Sequence, residues 1–255
     1  MPNIGVMNMY IKSARELEIM KAAGEIVALT FEKLKEVIKP GITTKELDRI
    51  AEKFIRNNKG IPAFLGYNGY PASICASINE EVVHGIPDNR VLNDGDIVGI
   101  DIGVVYEGYC GDAARTFEIG NVPAKARRLI EITKESFFKG ISMAVEGKRV
   151  QDISNAIQTF VESNGYSVVR DLVGHGIGKN MHEDPQVPNY GRAGKGPRLK
   201  AGLTLAVEPM VNEGGFHVKT LSDGWTVVTL DGSLSAHYEN TIAITTGEPK
   251  ILTMV

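Results

Sequence analysis

A chain of 255 residues, 43% hydrophobic and 23% charged, has the balance of a folded globular protein and the length for a sizeable core, which excludes a disordered tail or a small stapled peptide. The formal net charge of −3, with acids and bases interspersed, offers a polyanion no footprint, so direct nucleic-acid recognition is not expected. Two cysteines, Cys75 and Cys110, are too few for a disulfide framework and are expected as free thiols in a reducing cytoplasm.

Residues 1–12 form a short extension without the basic-then-apolar pattern of a signal peptide, and nowhere do apolar residues run to the length of a membrane span. No membrane partner is expected. Ser13 and Glu16 have the form of a capping box, ahead of Ile19, Ala23, Ile26, Val27, Phe31 and Leu34 at helical spacing. This first helix stops before Pro40-Gly41. Thr43 and Glu46 make a second capping box, with Leu47, Ile50, Ala51, Phe54 and Ile55 as the buried stripe and a stop across Asn57 to Gly60.

A similar unit returns later. Shifting KPGITTKELDRIAEKFIRNN by 106 positions lays it on VEGKRVQDISNAIQTFVESN, with Gly41 over Gly147, Phe54 over Phe160 and Asn58 over Asn164. Each copy is followed by strand-rich sequence, DIVGIDIGVVYEGYCGDAARTF in the first half and LTLAVEPMV, WTVVTL and AHYENTIAIT in the second. Helices then strands, twice, predict an α+β chain: a single domain over 1–255, with pseudo-repeats of roughly 13–120 and 121–250 around one cleft.

Within the first strand-rich segment, Asp101 lies in an otherwise apolar run that reads as a buried strand. With Tyr106 and Glu107 as the turn of a hairpin, Asp101 faces Asp112; with Glu107 and Gly108 as the turn, the two are diagonal neighbours. Either register leaves both aspartates on one face, with Cβ atoms roughly 5 Å or about 7 to 8 Å apart. Two buried anions that close persist with a cation between them or a proton on one. The alternative is that Asp112 ends its strand in a turn while Asp101 pairs with Arg115.

In LTLAVEPMV, alternation puts Thr204, Ala206 and Glu208 on one strand face, with Pro209 ending the pairing. Glu239 lies within or beside another β-branched strand, and His175 stands among three glycines in GHGIG, where backbone can approach closely. Singly, each acid reads as a surface residue and the histidine as part of a turn. Together, four carboxylates and one imidazole suit hard or borderline divalent ions such as Mn, Fe, Co or Zn. Five ligands exceed the need of one ion, and carboxylates bridge, so two ions about 3.5 to 4 Å apart are expected.

The segments NEEVVHGIP, GDIVGIDIGVVYEGYCGDAARTF, GHGIGKNMHEDPQVPNY, AVEPMV and AHYENTIAIT, in this order, resemble the type I methionine aminopeptidases of bacterial form, in peptidase family M24. The resemblance covers nearly the whole chain. It implies the pita-bread (creatinase/aminopeptidase) fold, two pseudo-symmetric αβ halves around a dinuclear metal site. It assigns metal ligation to Asp101, Asp112, His175, Glu208 and Glu239, with Asp112 and Glu239 bridging. His84 and His182 fall on the substrate side and Glu208 becomes the proton carrier, making these three the catalytic set. His182 is assigned to the developing oxyanion and His84 to the scissile amide. Tyr67, Tyr70, Cys75 and Trp225 are expected around the methionine side chain, although core packing would explain each singly. Met181 stands where the family often has an aromatic residue, and Phe64 where it often has a smaller one. His237, two residues from Glu239 on the same strand face, is expected to support the ligands from behind.

The implied activity is removal of the N-terminal methionine from nascent proteins and peptides when the second residue is small, by a monomer in the cytoplasm that could associate with the ribosome. A proline-directed peptidase of the same fold is the rival enzyme, although such chains usually carry a further N-terminal domain. A non-catalytic binding protein is the rival from another class, and such relatives usually lack some of the ligands.

Overall fold

The computed structural model describes residues 9–254, so the first eight residues of the 1–12 extension lie outside the described residues. Helix α1, Ala14–Lys35, starts as its sequence predicts: Ser13 Oγ accepts from the Glu16 amide, and the Glu16 carboxylate accepts from the Ser13 amide. Its buried face carries Ala23, Ile26, Val27, Phe31 and Leu34, whereas Ile19 is only half-buried. Helix α2, Thr44–Asn57, has half of its predicted box. Thr43 Oγ1 accepts from the Glu46 amide at 3.2 Å, but Glu46 does not reach back.

Helices α3, Ala124–Ile141, and α4, Val150–Ser163, form the second pair. The shift of 106 positions carries α2 onto α4 end for end. Past both helices, Asn58 and Asn164 turn their carboxamides back to the Phe54 and Phe160 carbonyls, at 2.8 and 2.9 Å. Ahead of both, Gly41 and Gly147 hold φ of 96° and 88°, a conformation any other side chain would strain.

Each helix pair covers one antiparallel sheet. In the first half, Ile97–Tyr106 pairs with Tyr109–Glu118, Cys75–Ile78 and Ile61–Pro62. Its Ile100, Ile102 and Val104 pack with Leu34, Leu47 and Ile55. In the second half the order is Lys250–Ile251, Asn240–Ala243, Thr204–Val207, Gly174–Gly176 and Glu183–Val187, and Leu205, Val207 and Ile242 pack with Leu129, Phe137, Ile153 and Ile157. Alternation along the strands therefore spends one face on a hydrophobic core, each fully buried aliphatic side chain contributing about 2 kcal/mol. The opposite face is free to carry Asp101.

The central hairpin adopts the second of the two registers anticipated. Tyr106 pairs with Tyr109, so Glu107 and Gly108 form the turn, with φ of 46° and 80°. Both turn residues have the positive φ that matches the twist of the strands, and the glycine takes it without strain. Asp112 consequently stands opposite Gly103, and Asp101 opposite Ala114. Helix α1 lies close on this hairpin, because a Cβ on Gly111 would sit 2.8 Å from the Gly24 nitrogen.

The strand Tyr109–Glu118 also carries the seam between the halves. Thr241 Oγ1 accepts from the Asp112 amide at 3.0 Å and donates to the Asp112 carbonyl at 2.9 Å. Thr116 Oγ1 makes the corresponding pair with the His237 backbone, each bond 3.0 Å, and the Glu239 amide donates to the Ala114 carbonyl at 3.0 Å. The two aspartates and Glu239 are thereby fixed to the same line of backbone.

Candidate metal centre

His175 is held in a strand squeezed between two others. A Cβ on Gly174 would lie 2.4 Å from the Ala206 carbonyl oxygen, and one on Gly176 would lie 2.2 Å from that of Asp184. The glycines are thus required by close packing on both sides. His175 pairs with Ala206, two residues before Glu208 leaves the end of Thr204–Val207. Glu239 occupies the break between Ser235–His237 and Asn240–Ala243.

These elements bring five side chains to the lining of one cavity. His175 Nε2 lies 3.7 Å from Glu208 Oε1 and 3.9 Å from Asp112 Oδ2, and one ligand atom each from Asp112, His175 and Glu239 lie within 4.8 Å of one another. His175 Nδ1 is 2.8 Å from the Gly176 carbonyl. A carbonyl only accepts, so Nδ1 carries the proton and Nε2 offers its lone pair to the cluster.

The electrostatics match this placement. Burial raises the Asp101 pKa to about 7, offset in part by its hydrogen bond with Asp112. Burial and then repulsion from neighbouring acids hold Asp112, Glu208 and Glu239 well above the usual carboxylate range. Burial and the nearby His182 lower His175 to about 4, so it is a neutral imidazole near pH 7. Asp101 Oδ1, Asp112 Oδ1 and Glu239 Oε1 are buried without any hydrogen-bond partner. Orphaned carboxylate oxygens around a neutral imidazole fit divalent cations, which satisfy them and remove the mutual repulsion.

The alternative pairing of Asp101 with Arg115 does not occur. The Arg115 guanidinium instead donates to the carbonyls of Ala114 and Glu239 and to Asn240 Oδ1, and it stacks over Tyr238 and Phe31. It points away from the acids because those carbonyls and rings lie on the other side of the seam.

Around the cluster opens a cavity of about 260 Å³. Asp101, Asp112, His175, Glu208, Glu239, His84, His182, Tyr67, Tyr70, Cys75 and Trp225 all line it, joined by Phe64 and Asn68. His182 Nδ1 is 2.7 Å from the Tyr67 hydroxyl, and its ring lies 4.3 Å from that of His175. His84 holds a left-handed φ of 60°, and burial lowers its pKa and that of His182. The Tyr70 hydroxyl donates to the Gly85 carbonyl, at 2.9 Å, and its ring meets the Trp225 edge. Cys75 is buried and its thiol pKa is pushed up by that burial, which makes it wall rather than nucleophile. Met181 packs beside Phe64 against Gly103, where a Cβ would lie 2.6 Å from Phe64 Cε1.

Asn68 was not anticipated, although the sequence Gly66-Tyr67-Asn68-Gly69 carries a turn signal, and Asn68 takes a φ of 50°. His237 Nε2 stands 3.7 Å from Glu208 Oε2 and 3.9 Å from Glu239 Oε2, outside the cavity lining. A larger cavity of about 620 Å³ lies elsewhere, between α1 and α3, and is lined by none of the five clustered side chains.

The sequence profile of metallopeptidase family M24 matches residues 18–246. The methionine aminopeptidase of Clostridium acetobutylicum is 60% identical over 96% of this chain and 98% of its own length. Methionine aminopeptidase 1 of Bacillus subtilis is 59% identical with the same coverage. The crystal structure of a methionine aminopeptidase from Thermotoga maritima, 46% identical, matches 97% of this chain and all of its own with a TM-score of 0.96. A prolidase from Pyrococcus horikoshii, 24% identical, matches 96% of this chain and 63% of its own with a TM-score of 0.76, which is a likeness of fold alone.

Proposed function

The chain belongs to metallopeptidase family M24, as a bacterial-type methionine aminopeptidase with the pita-bread fold, and from that premise we propose that the five-ligand cluster is where methionine is cut from peptide N-termini. The metal-dependent removal of N-terminal methionine is the activity of the chain. One observation carries the placement: two acids from each half and one imidazole line a single cavity, and oxygens of Asp101, Asp112 and Glu239 are buried with nothing else to satisfy them.

Asp101, Asp112, His175, Glu208 and Glu239 would hold the divalent ions; Mn, Fe, Co and Zn all suit the donors. When bound, the ions supply Lewis acidity toward the peptide carbonyl and toward water. Glu208, whose pKa is raised by burial and by Asp101, takes up the proton released in the attack and passes it to the departing amine. His182, whose pKa is lowered by burial, has Nδ1 2.7 Å from the Tyr67 hydroxyl; with that hydroxyl donating, Nε2–H faces the developing oxyanion. His84, in the same lining, hydrogen-bonds the scissile amide. Tyr67, Tyr70, Cys75, Trp225 and Phe64 enclose the methionine side chain, whose polarisable sulfur suits aromatic walls.

A cavity of about 260 Å³ is small for a ligand site, which supports a small second residue. Both halves line the one cleft, which supports a single domain. Two buried free cysteines support a reducing cytoplasm, where nascent chains are the substrate. Among the described residues no helix is long and apolar enough to cross a membrane.

The test is to strip the purified protein, reload it with Mn, Co, Fe or Zn, and offer Met-Gly-Met-Met beside a peptide beginning Ala-Pro. Metal-dependent release of methionine from the first peptide alone is expected. Cleavage only before proline, or none with any metal, would overturn the reading.

A further inference from the structure

The segment leading into α1 reaches across to the second half. Ile11 forms a bridge with Leu203, and the Lys12 amide donates to the Gly202 carbonyl at 2.8 Å. From there the Lys12 side chain turns inward. Its Nζ donates to Glu183 Oε2 at 2.6 Å and to the Tyr10 carbonyl at 3.1 Å, and the two charged side chains are only 4% and 5% exposed. The other oxygen of Glu183 accepts from the Asn180 amide at 3.2 Å, closing the turn Asn180-Met181-His182-Glu183.

The pair also accounts for the last glycine of GHGIG. A Cβ on Gly178 would lie 2.5 Å from Lys12 Cε and 2.6 Å from Glu183 Oε1, so the clamp needs that residue bare. A buried ion pair is a weak source of stability, because desolvating both charges offsets most of their attraction. What it does well is hold one geometry. Here the geometry held is that of the turn carrying His182, whose ring must stay between Tyr67 and His175.

We infer that Lys12, through Glu183, is a positioning residue for His182, so that the approach to α1 in one half sets the oxyanion donor of the other. The inference rests on the assignment of His182 to the oxyanion. A displacement on the order of 1 Å in a positioned group lowers turnover by up to about a hundredfold, and the clamp is one residue from the ring it fixes.

The experiment is a double-mutant cycle on the Mn-loaded protein, with Lys12→Met, His182→Ala and the two combined. Lys12→Met is expected to lower kcat about tenfold, with KM and the calorimetric Mn affinity of the stripped protein both changed less than about twofold. In the His182→Ala background it should lower kcat no further. Because Lys12→Met strands a buried carboxylate, Glu183→Gln and Lys12→Met/Glu183→Gln are carried through the same cycle with folding checked by circular dichroism. Glu183→Gln keeps the acceptor for Asn180 and removes the charge. A kcat loss that adds fully to that of His182→Ala overturns the inference and leaves the role of His182 intact. An unchanged kcat in His182→Ala overturns that role, and the inference with it.

Discussion

Glu208 stands at the end of a strand, 3.7 Å from His175, with burial and Asp101 both pushing its pKa up. A carboxyl in that setting holds and releases a proton at little cost, whereas an amide of the same shape cannot. Glu208→Gln should keep the circular dichroism spectrum and lower kcat by about a hundredfold or more; turnover near that of the unaltered protein would remove Glu208 from proton transfer. Tyr67 makes a subtler prediction. Its hydroxyl lies 2.7 Å from His182 Nδ1 and holds the ring in place, so Tyr67→Phe should lower kcat roughly tenfold while leaving KM within about twofold. A rise in KM alone would reduce Tyr67 to a wall of the methionine pocket. Tyr67 and His182 are 115 positions apart, and nothing in either local sequence pairs them.

At the scale of the element, patterns confined to one turn or one strand were legible in the sequence. The Ser13 box and the Thr43 cap depend on residues three or four apart, and the structure places them as read, apart from the missing return bond of Glu46; in the stripe of α2, Leu47, Ala51 and Ile55 are buried while Ile50 and Phe54 are only half-buried. The hairpin register depends on which two residues accept positive φ, a choice the sequence narrowed to two and the glycine of Glu107-Gly108 decides. Contacts between elements were not legible. Arg115 turns away from the acids toward Tyr238 and the Glu239 backbone, and Lys12 crosses to Glu183, because the partners are brought near only by the packing of the halves. The close approach of α1 to the hairpin belongs to this class. Gly111→Ala would push a methyl group to 2.8 Å from the Gly24 nitrogen, and neither glycine can yield without moving α1. A cost of about 2 kcal/mol follows, seen as a fall in Tm of about 5 °C by calorimetry. An unchanged Tm would mean that the helix rides on the hairpin less tightly than these contacts require.

For the whole molecule the decisive fact is that each half supplies two acids to one cluster. Without metal the halves are pressed together against their own charge. Asp101 then has a folded pKa of about 7 against 3.8 for the ordinary group, and Asp112, Glu208 and Glu239 are displaced in the same direction. Between those two pH values the folded, metal-free protein keeps a proton on Asp101 that the unfolded chain has released, so this group's contribution to stability falls as pH rises through the window. Divalent ions bind the deprotonated ligands, so their stabilisation grows across the same range. The gap in Tm between Mn-loaded and chelator-treated protein should therefore widen from about pH 5 to about pH 7.5, measured by calorimetry in matched buffers. A constant gap would mean that the ions bind elsewhere and that some other interaction holds the four acids together. A widening gap would mean that the same ions that serve the peptide carbonyl also join one half of the molecule to the other.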